Sequence, residues 1–437
     1  AYTMSMMPVI DSLGTRIDSA VLRNATVDMA SHTIGGESLE VKLADACYIY
    51  PDSASAAAVM PPAGSVPADT AARETPDSAM WTIRASHLRL DGGCATYAMR
   101  GAIPRAGLDM NYLQASGISI EVDSFFNRGT AITIPLRHLE ARERCGVALK
   151  ANGLFSMDST AMYASRFNIS TDYSQLHLDA TMGMGNLADS PSLPLRLLAD
   201  AAISLEDIET ALPTLKPMMR GIPRGAPLRL NADISGTSGN LRISELNAGI
   251  ARFFTFNADG VVKNPFDFKR MDGRVSFHAD AIALNRVKPT LLEARLASQL
   301  NIPVTIIDGH VDYSPNLISG KLRAVAAGGH LALDGSWRQR AESYDASFRA
   351  DNFHVDAFMP SLGVGAVTAT VKASGKGYNP TASSTAMNLT VDIDNAVYLG
   401  ENYRSILVDA TLADNSARGR LTSANPAADI DMTFDAT

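Results

Sequence analysis

Histidine, cysteine and carboxylate side chains are the groups in this chain that could carry catalysis or hold a metal. The eight histidines are His32, His87, His138, His177, His278, His310, His330 and His354. No two of them stand at the HxH or HxxxH spacing that would present two imidazoles on one side of an element. His177 and His278 fall instead on the polar side of alternating runs. Cys47, Cys94 and Cys145 are far apart, show no CxxC spacing and, being odd in number, leave no disulfide framework. Asp392-x-Asp394 and Asp429-x-Asp431 have the spacing that sets two carboxylates on one face of a strand, as a glycosidase pair would require. Each also reads more simply as the solvent side of an alternating strand. No GxSxG elbow and no GxxxxGK[ST] loop is present. The N-x-[ST] matches at Asn24, Asn168 and Asn388 belong to a pattern too common to weigh. The expectation is a protein without catalytic activity, cofactor or metal.

The elements that would position these groups are strands. In Leu228-Arg-Leu-Asn-Ala-Asp-Ile-Ser235 the residues Leu228, Leu230 and Ile234 share one face, while Arg229, Asn231 and Asp233 share the other. The pattern returns with Phe254 and Phe256 against Thr255 and Asn257, and with Val275 and Phe277 against Ser276 and His278. Gly239-Asn240, Gly260, Asn264-Pro265 and Asp272-Gly273 are read as the breaks between these runs. The pairs Gly35-Gly36, Gly92-Gly93 and Gly328-Gly329 are likewise expected in turns. Later runs carry Leu331 and Leu333, then Phe348, then Leu389 and Val391, then Ile406 and Val408. The reading is an all-β antiparallel meander with one apolar face.

Composition bounds what such a sheet can do. With 437 residues and a net charge of −8, the chain has no bulk attraction for nucleic acid. No apolar run reaches the roughly 18 residues of a membrane-crossing helix. Ala1 to Ile10 lack the zones of a signal peptide. Starting without Met and stopping in the strand-like run Ile430 to Phe434, the sequence is read as part of something longer. A single core stops growing near about 250–300 residues, so a chain of this length divides into domains or extends as a repetitive rod, and the repetition favours an elongated sheet.

Five segments are expected. Residues 1–51 form an N-terminal β segment with short strands at Val27 and Met29 and at Leu39 to Leu43. Residues 52–80, rich in Ala, Pro and Ser, are a flexible insertion with too little apolar surface to offset ordering entropy. Residues 81–203 carry further alternating strands. Residues 204–350 and 351–437 are two copies of a helix-plus-strand unit, the second cut short. In the first copy Ser204 caps a helix with Leu205, Ile208 and Leu212 at helical spacing, which Pro213 limits to about two turns. The second copy repeats its ending, Met359-Pro-Ser-Leu362 for Leu212-Pro-Thr-Leu215.

These endings, the strand closing on Ile234-Ser-Gly236, the Leu241-Arg-Ile243-x-x-Leu246-x-Ala248-Gly249 run and Phe254-x-Phe-x-Ala-x-Gly260 resemble the TamB and AsmA-like envelope proteins. Trp81-x-Ile83, the strand Ile118 to Val122, Glu143-x-Cys-Gly146-x-x-Leu149 and the run Phe167 to Leu178 extend the resemblance over roughly residues 80 to 437. The resemblance implies a curved, taco-like groove with an apolar interior, anchored in the inner membrane by a segment absent here and reaching across the periplasm. It implies phospholipid acyl chains as cargo, both membranes as partners, and an outer-membrane β-barrel as a further partner.

Three classes of function follow. A lipid conduit would leave the apolar face open to acyl chains, lined by the fourteen residues from Leu228 to Val408 named with the strands above. A structural or adhesive rod would seal that face, and an outer-membrane assembly factor is a variant that the resemblance also allows. A polysaccharide-acting β-helix would show short stacked repeats and clustered carboxylates; the runs here are irregularly spaced.

Overall fold

The computed structural model describes residues 12–50, 80–286, 299–377, 379, 382–425 and 428–436. The insertion expected at 52–80 lies outside the described residues except for Met80. The strands of the first part are β1 (Ser12–Arg23), β2 (Thr26–Asp28), β3 (Thr33–Tyr50), β4 (Thr82–Met99), β5 (Tyr112–Arg128), β6 (Ala131–Glu143), β7 (Ala148–Met157), β8 (Ala161–Ser170), β9 (Gln175–Gly183) and β10 (Pro194–Ile203). Helix α1 (Leu205–Ala211) follows. Next come β11 (Leu228–Thr237), β12 (Asn240–Ile250), β13 (Phe254–Lys263), β14 (Asp272–Ala281), β15 (Thr305–Ser314), β16 (Leu317–Ala326), β17 (Gly329–Arg338) and β18 (Ser343–His354). Helix α2 (Val355–Phe358) precedes β19 (Val364–Lys376), β20 (Ala386–Tyr398), β21 (Glu401–Ala413), β22 (Ser416–Asn425) and β23 (Ala428–Ala436). The fold is all-β, with open antiparallel sheets and few, short helices. Among the described residues no helix is long and apolar enough to cross a membrane.

The chain forms two units, residues 1–185 with 194–216, and residues 186–193 with 217–437. In unit 1, β1 and β2 both pair with β3, and from β4 to β10 each strand is antiparallel to the next. In unit 2 every strand from β11 to β23 is antiparallel to its successor. This is a meander that keeps sequence neighbours adjacent in space.

Four expectations are corrected. First, β3 and β4 are parallel along their whole length, Thr33 opposite Thr82 and Tyr50 opposite Met99; the long stretch between them allows the return that a parallel pair needs. Second, Gly35-Gly36 and Gly92-Gly93 lie inside strands of 18 residues rather than in turns. A Cβ on Gly92 would stand 2.8 Å from Leu43 Cβ, and one on Gly93 would stand 2.5 Å from the Ala44 carbonyl oxygen. These glycines permit close approach of the parallel neighbour. Third, Gly260 does not end its strand; β13 runs on to Lys263, a Cβ there being excluded by the Arg274 carbonyl oxygen at 2.3 Å, and Asp272-Gly273 open β14. Fourth, β1 forms where no strand was read and Met29 lies beyond β2. Register shifts at Ile17 break the period of two in β1, so Leu13, Ile17, Ala20 and Leu22 show no alternation in sequence.

The short helices behave as their caps dictate. Ser204 Oγ accepts from the Glu206 amide at 3.1 Å at the start of α1, and Pro213 begins a 3₁₀ turn, Pro213–Leu215. The second copy repeats this down to the backbone: the residue before each proline has φ −129°, ψ 72° at Leu212 and φ −135°, ψ 77° at Met359. In both, that residue's amide closes the helix, on Ile208 at 2.7 Å and on Val355 at 2.8 Å.

Candidate functional site

In an antiparallel sheet, residues directly opposite one another form rungs, and every second rung faces the same side. Following register across unit 2 gives rungs that cross all of its thirteen strands. One starts at Leu230 and Ala248, passes Phe256, Ile307, Leu331 and Ile406, and ends at Ile430. Its one polar member is Ser423 of β22. The next rung starts at Ala232 and Leu246 and runs through Phe277, Leu333, Phe348, Val391 and Val408 to Met432, with no polar member. A third joins Ile234, Val275 and Leu389 and ends at Phe434, and includes several glycines. Leu228 and Phe254 lie in a shorter rung beside the first. All fourteen residues named from the sequence therefore share one face of unit 2.

That face is incompletely covered. Leu333 and Phe348, opposite each other at its middle, are 38% and 37% exposed. The buried members are mostly alanines wedged between larger neighbours, such as Ala232, Ala258, Ala350 and Ala369. Ser238 is buried, its hydroxyl donating to the Ser190 carbonyl. A sheet sealed by a second layer would bury Leu, Val and Phe completely. Phe256 and Phe277 stack with centroids 6.1 Å apart, so the face presents aromatic as well as aliphatic surface.

The opposite face carries charge pairs, with Val261, Ile306, Val325 and Leu407 as exposed apolar side chains among them. Arg274 donates to Asp312 at 2.5 and 2.9 Å, and Arg420 to Asp431 at 2.8 and 2.6 Å. These bonds hold the Asp312 and Asp431 carboxyls below the usual carboxylate range. His278 Nδ1 lies 2.6 Å from Asp308, whose carboxylate raises the imidazole pKa. The four carboxylates of the acidic pairs, Asp392, Asp394, Asp429 and Asp431, are all exposed. Among the described residues no group of three or more His, Cys, Asp or Glu could hold a metal ion.

Unit 1 carries a comparable apolar rung. It links Ala20, Val41, Leu90, Ile120 and Leu139, then Ala151, Ile169, Leu176 and Ala201. The sequence showed several of its members as alternating residues, but not their alignment, because β5, β6 and β7 each contain register shifts that displace the period of two. No protein-family model, curated protein or solved structure matches this chain. The geometry and the residues themselves carry the functional reading.

Proposed function

We propose that the apolar face is a bed for phospholipid acyl chains, in a periplasmic segment of an envelope protein of the TamB or AsmA-like kind that moves lipid between inner and outer membranes. The observation that carries the reading is the set of apolar rungs across unit 2, one of them without a polar member, with large side chains left partly exposed along them. Thirteen strands at about 4.8 Å give a path on the order of 60 Å. The hydrocarbon core of a whole bilayer is about 30 Å thick, so one acyl chain covers only a part of that path. A face of this length suits chains in file better than one resident ligand. Each methylene leaving water for the face gains about 0.8 kcal/mol, and the charge pairs behind keep the other side wet. In this reading the chain has no catalytic role, the two membranes are its partners, and an outer-membrane β-barrel receives or accompanies the cargo.

The test is lipid extraction and mass spectrometry of the purified chain, beside Phe256→Asp. Phospholipid is expected on the parent and less on the variant. Asn257→Asp is the control on the opposite face, since Asn257 neighbours His278 in register. Thr255 is unsuitable because its hydroxyl already donates to Asp280 at 2.8 Å. A parent that purifies without lipid and takes up none from vesicles would end the proposal.

A further inference from the structure

At one end of unit 1's apolar face lies a cleft of about 580 Å³, a size usual for ligand sites. Its floor is the rung of small side chains Ala46, Ala95 and Ala115. The adjacent rung of Tyr48, Tyr97 and Leu113 forms one wall, with Tyr48 and Tyr97 stacked at 5.2 Å. Val147 and Leu149 form the other. The roof is Leu108 together with Ala211, the last residue of α1.

That roof is stitched in place. The Leu108 amide donates to the Ala211 carbonyl at 2.7 Å. Gly107, at φ +83°, leaves no space for a side chain: a Cβ would stand 2.4 Å from both the Ala211 carbonyl oxygen and Pro213 Cδ. Arg144 donates to the Arg105 and Gly107 carbonyls at 2.7 and 3.1 Å. Buried Asp109 accepts from the Arg105 and Asn111 amides at 3.1 and 3.0 Å, which shapes the loop from within. Residues 100–111 thus form a strap across the end of the sheet.

Charge at this rim is mainly positive. Arg100 and Arg105 stand on the strap and Arg144 on the β6–β7 turn, while Arg142, near the end of β6, pairs with Asp172 at 4.0 Å. The strap's Asp109 and the cleft-lining Glu143 already accept backbone amides, Asp109 as above and Glu143 from Cys145 at 2.5 Å. Ile103 and Met110 project from the strap with 82% and 68% of their surface exposed. Arginines beside exposed apolar side chains suit the interface between a lipid's charged head and its chain.

We propose that this cleft seats one acyl chain of an anionic lipid, with the head at the rim arginines and the chain under the strap on unit 1's apolar face. The assignment rests on reading that face as a lipid path, and adds an entry point and a head-group preference. The probe is a diazirine-bearing phosphatidylglycerol, with the phosphatidylcholine analogue as comparison; after irradiation the labelled peptides are mapped by mass spectrometry. Labels are expected within residues 108–115 and 141–149, stronger with phosphatidylglycerol. Ala115→Trp fills the floor with apolar bulk and should lower labelling there about tenfold, with labels on unit 2 and the melting temperature unchanged. Labels confined to unit 2, or cleft labels indifferent to Ala115→Trp or to head-group charge, would overturn the assignment while leaving the wider reading intact. No labelling anywhere would end both.

Discussion

Replacing Phe348 by aspartate separates an open apolar face from a sealed core. Phe348 sits in the middle of unit 2 between Leu333 and Val371, and its 37% exposure means that about two-thirds of its surface is already out of water. Full burial of a phenylalanine contributes about 3 kcal/mol, so the loss here is about 2 kcal/mol. The poor fit of aspartate to a strand adds up to about 1 kcal/mol. In a unit of this size each 1 kcal/mol moves the melting temperature by about 2–4 °C, and a fall of roughly 5–10 °C is expected with the fold retained, because the new carboxylate reaches water. Within a sealed core the same change would cost about 3–5 kcal/mol for the lost ring and several more for the buried charge. That sum rivals the entire stability of a domain, about 5–15 kcal/mol. The assay pairs thermal unfolding by circular dichroism with quantitative lipid extraction. Ser347→Asp is the control, since Ser347 stands on the polar face between Asp334 and Lys372. A variant unfolded at room temperature would refute the open face. A folded variant carrying the parental amount of lipid would refute the placement of acyl chains on this rung.

Three further predictions concern the scaffold and its charges. Gly92→Val should destabilise unit 1 by about 1–3 kcal/mol, as overpacking does, because its Cβ would meet Leu43 Cβ at 2.8 Å and the Leu43 carbonyl oxygen at 2.9 Å; a melting curve that does not move would mean the parallel strands can separate freely. The hydrogen bond from Asp308 raises the His278 pKa, so this pair's stabilisation is complete below the imidazole's unfolded pKa and fades as pH rises through the raised value. Asp308→Asn should return the His278 titration, followed by NMR, toward the ordinary imidazole value, and an unaltered titration would refute the pairing. Asp158 accepts from the Thr160 hydroxyl at 2.6 Å and from the Thr160 and Ala161 amides at 2.7 and 2.9 Å, which lowers its pKa to about 2. Its support of the β7–β8 turn is therefore present above the ordinary carboxylate range and lost as pH falls through about 2; carboxyl NMR finding Asp158 titrating near 4 would contradict that geometry.

Alternation proved legible wherever strands pair without interruption. In β13 and β14 the residues Phe254, Phe256, Val275 and Phe277 could be placed on one face from sequence because every register step between those strands is a single residue. The same logic fails at bulges, and it fails in a particular way. Ile120 of β5 is opposite Leu139, and Ala115 is opposite Glu143, two residues whose numbers share a parity; Ile120 and Ala115 do not. Both nevertheless face the apolar side, since Gly117, at φ +60°, adds a residue without turning the face over. In the sequence the alternation breaks at that glycine, so it marks a strand only over Ile118 to Val122. The sheet instead carries its apolar surface through the break to the cleft at Ala115. The strap over that cleft has no periodicity to read, because it is held by Gly107 against the end of α1 and by Asp109 and Arg144 bonding to backbone groups. Bulge glycines and side-chain-to-backbone bonds are thus what let a repetitive sheet end in a particular site: the rungs provide apolar surface that varies little along its length, and the irregular residues at Gly117, Gly107 and Asp109 give one end of unit 1 a floor, a roof and a rim.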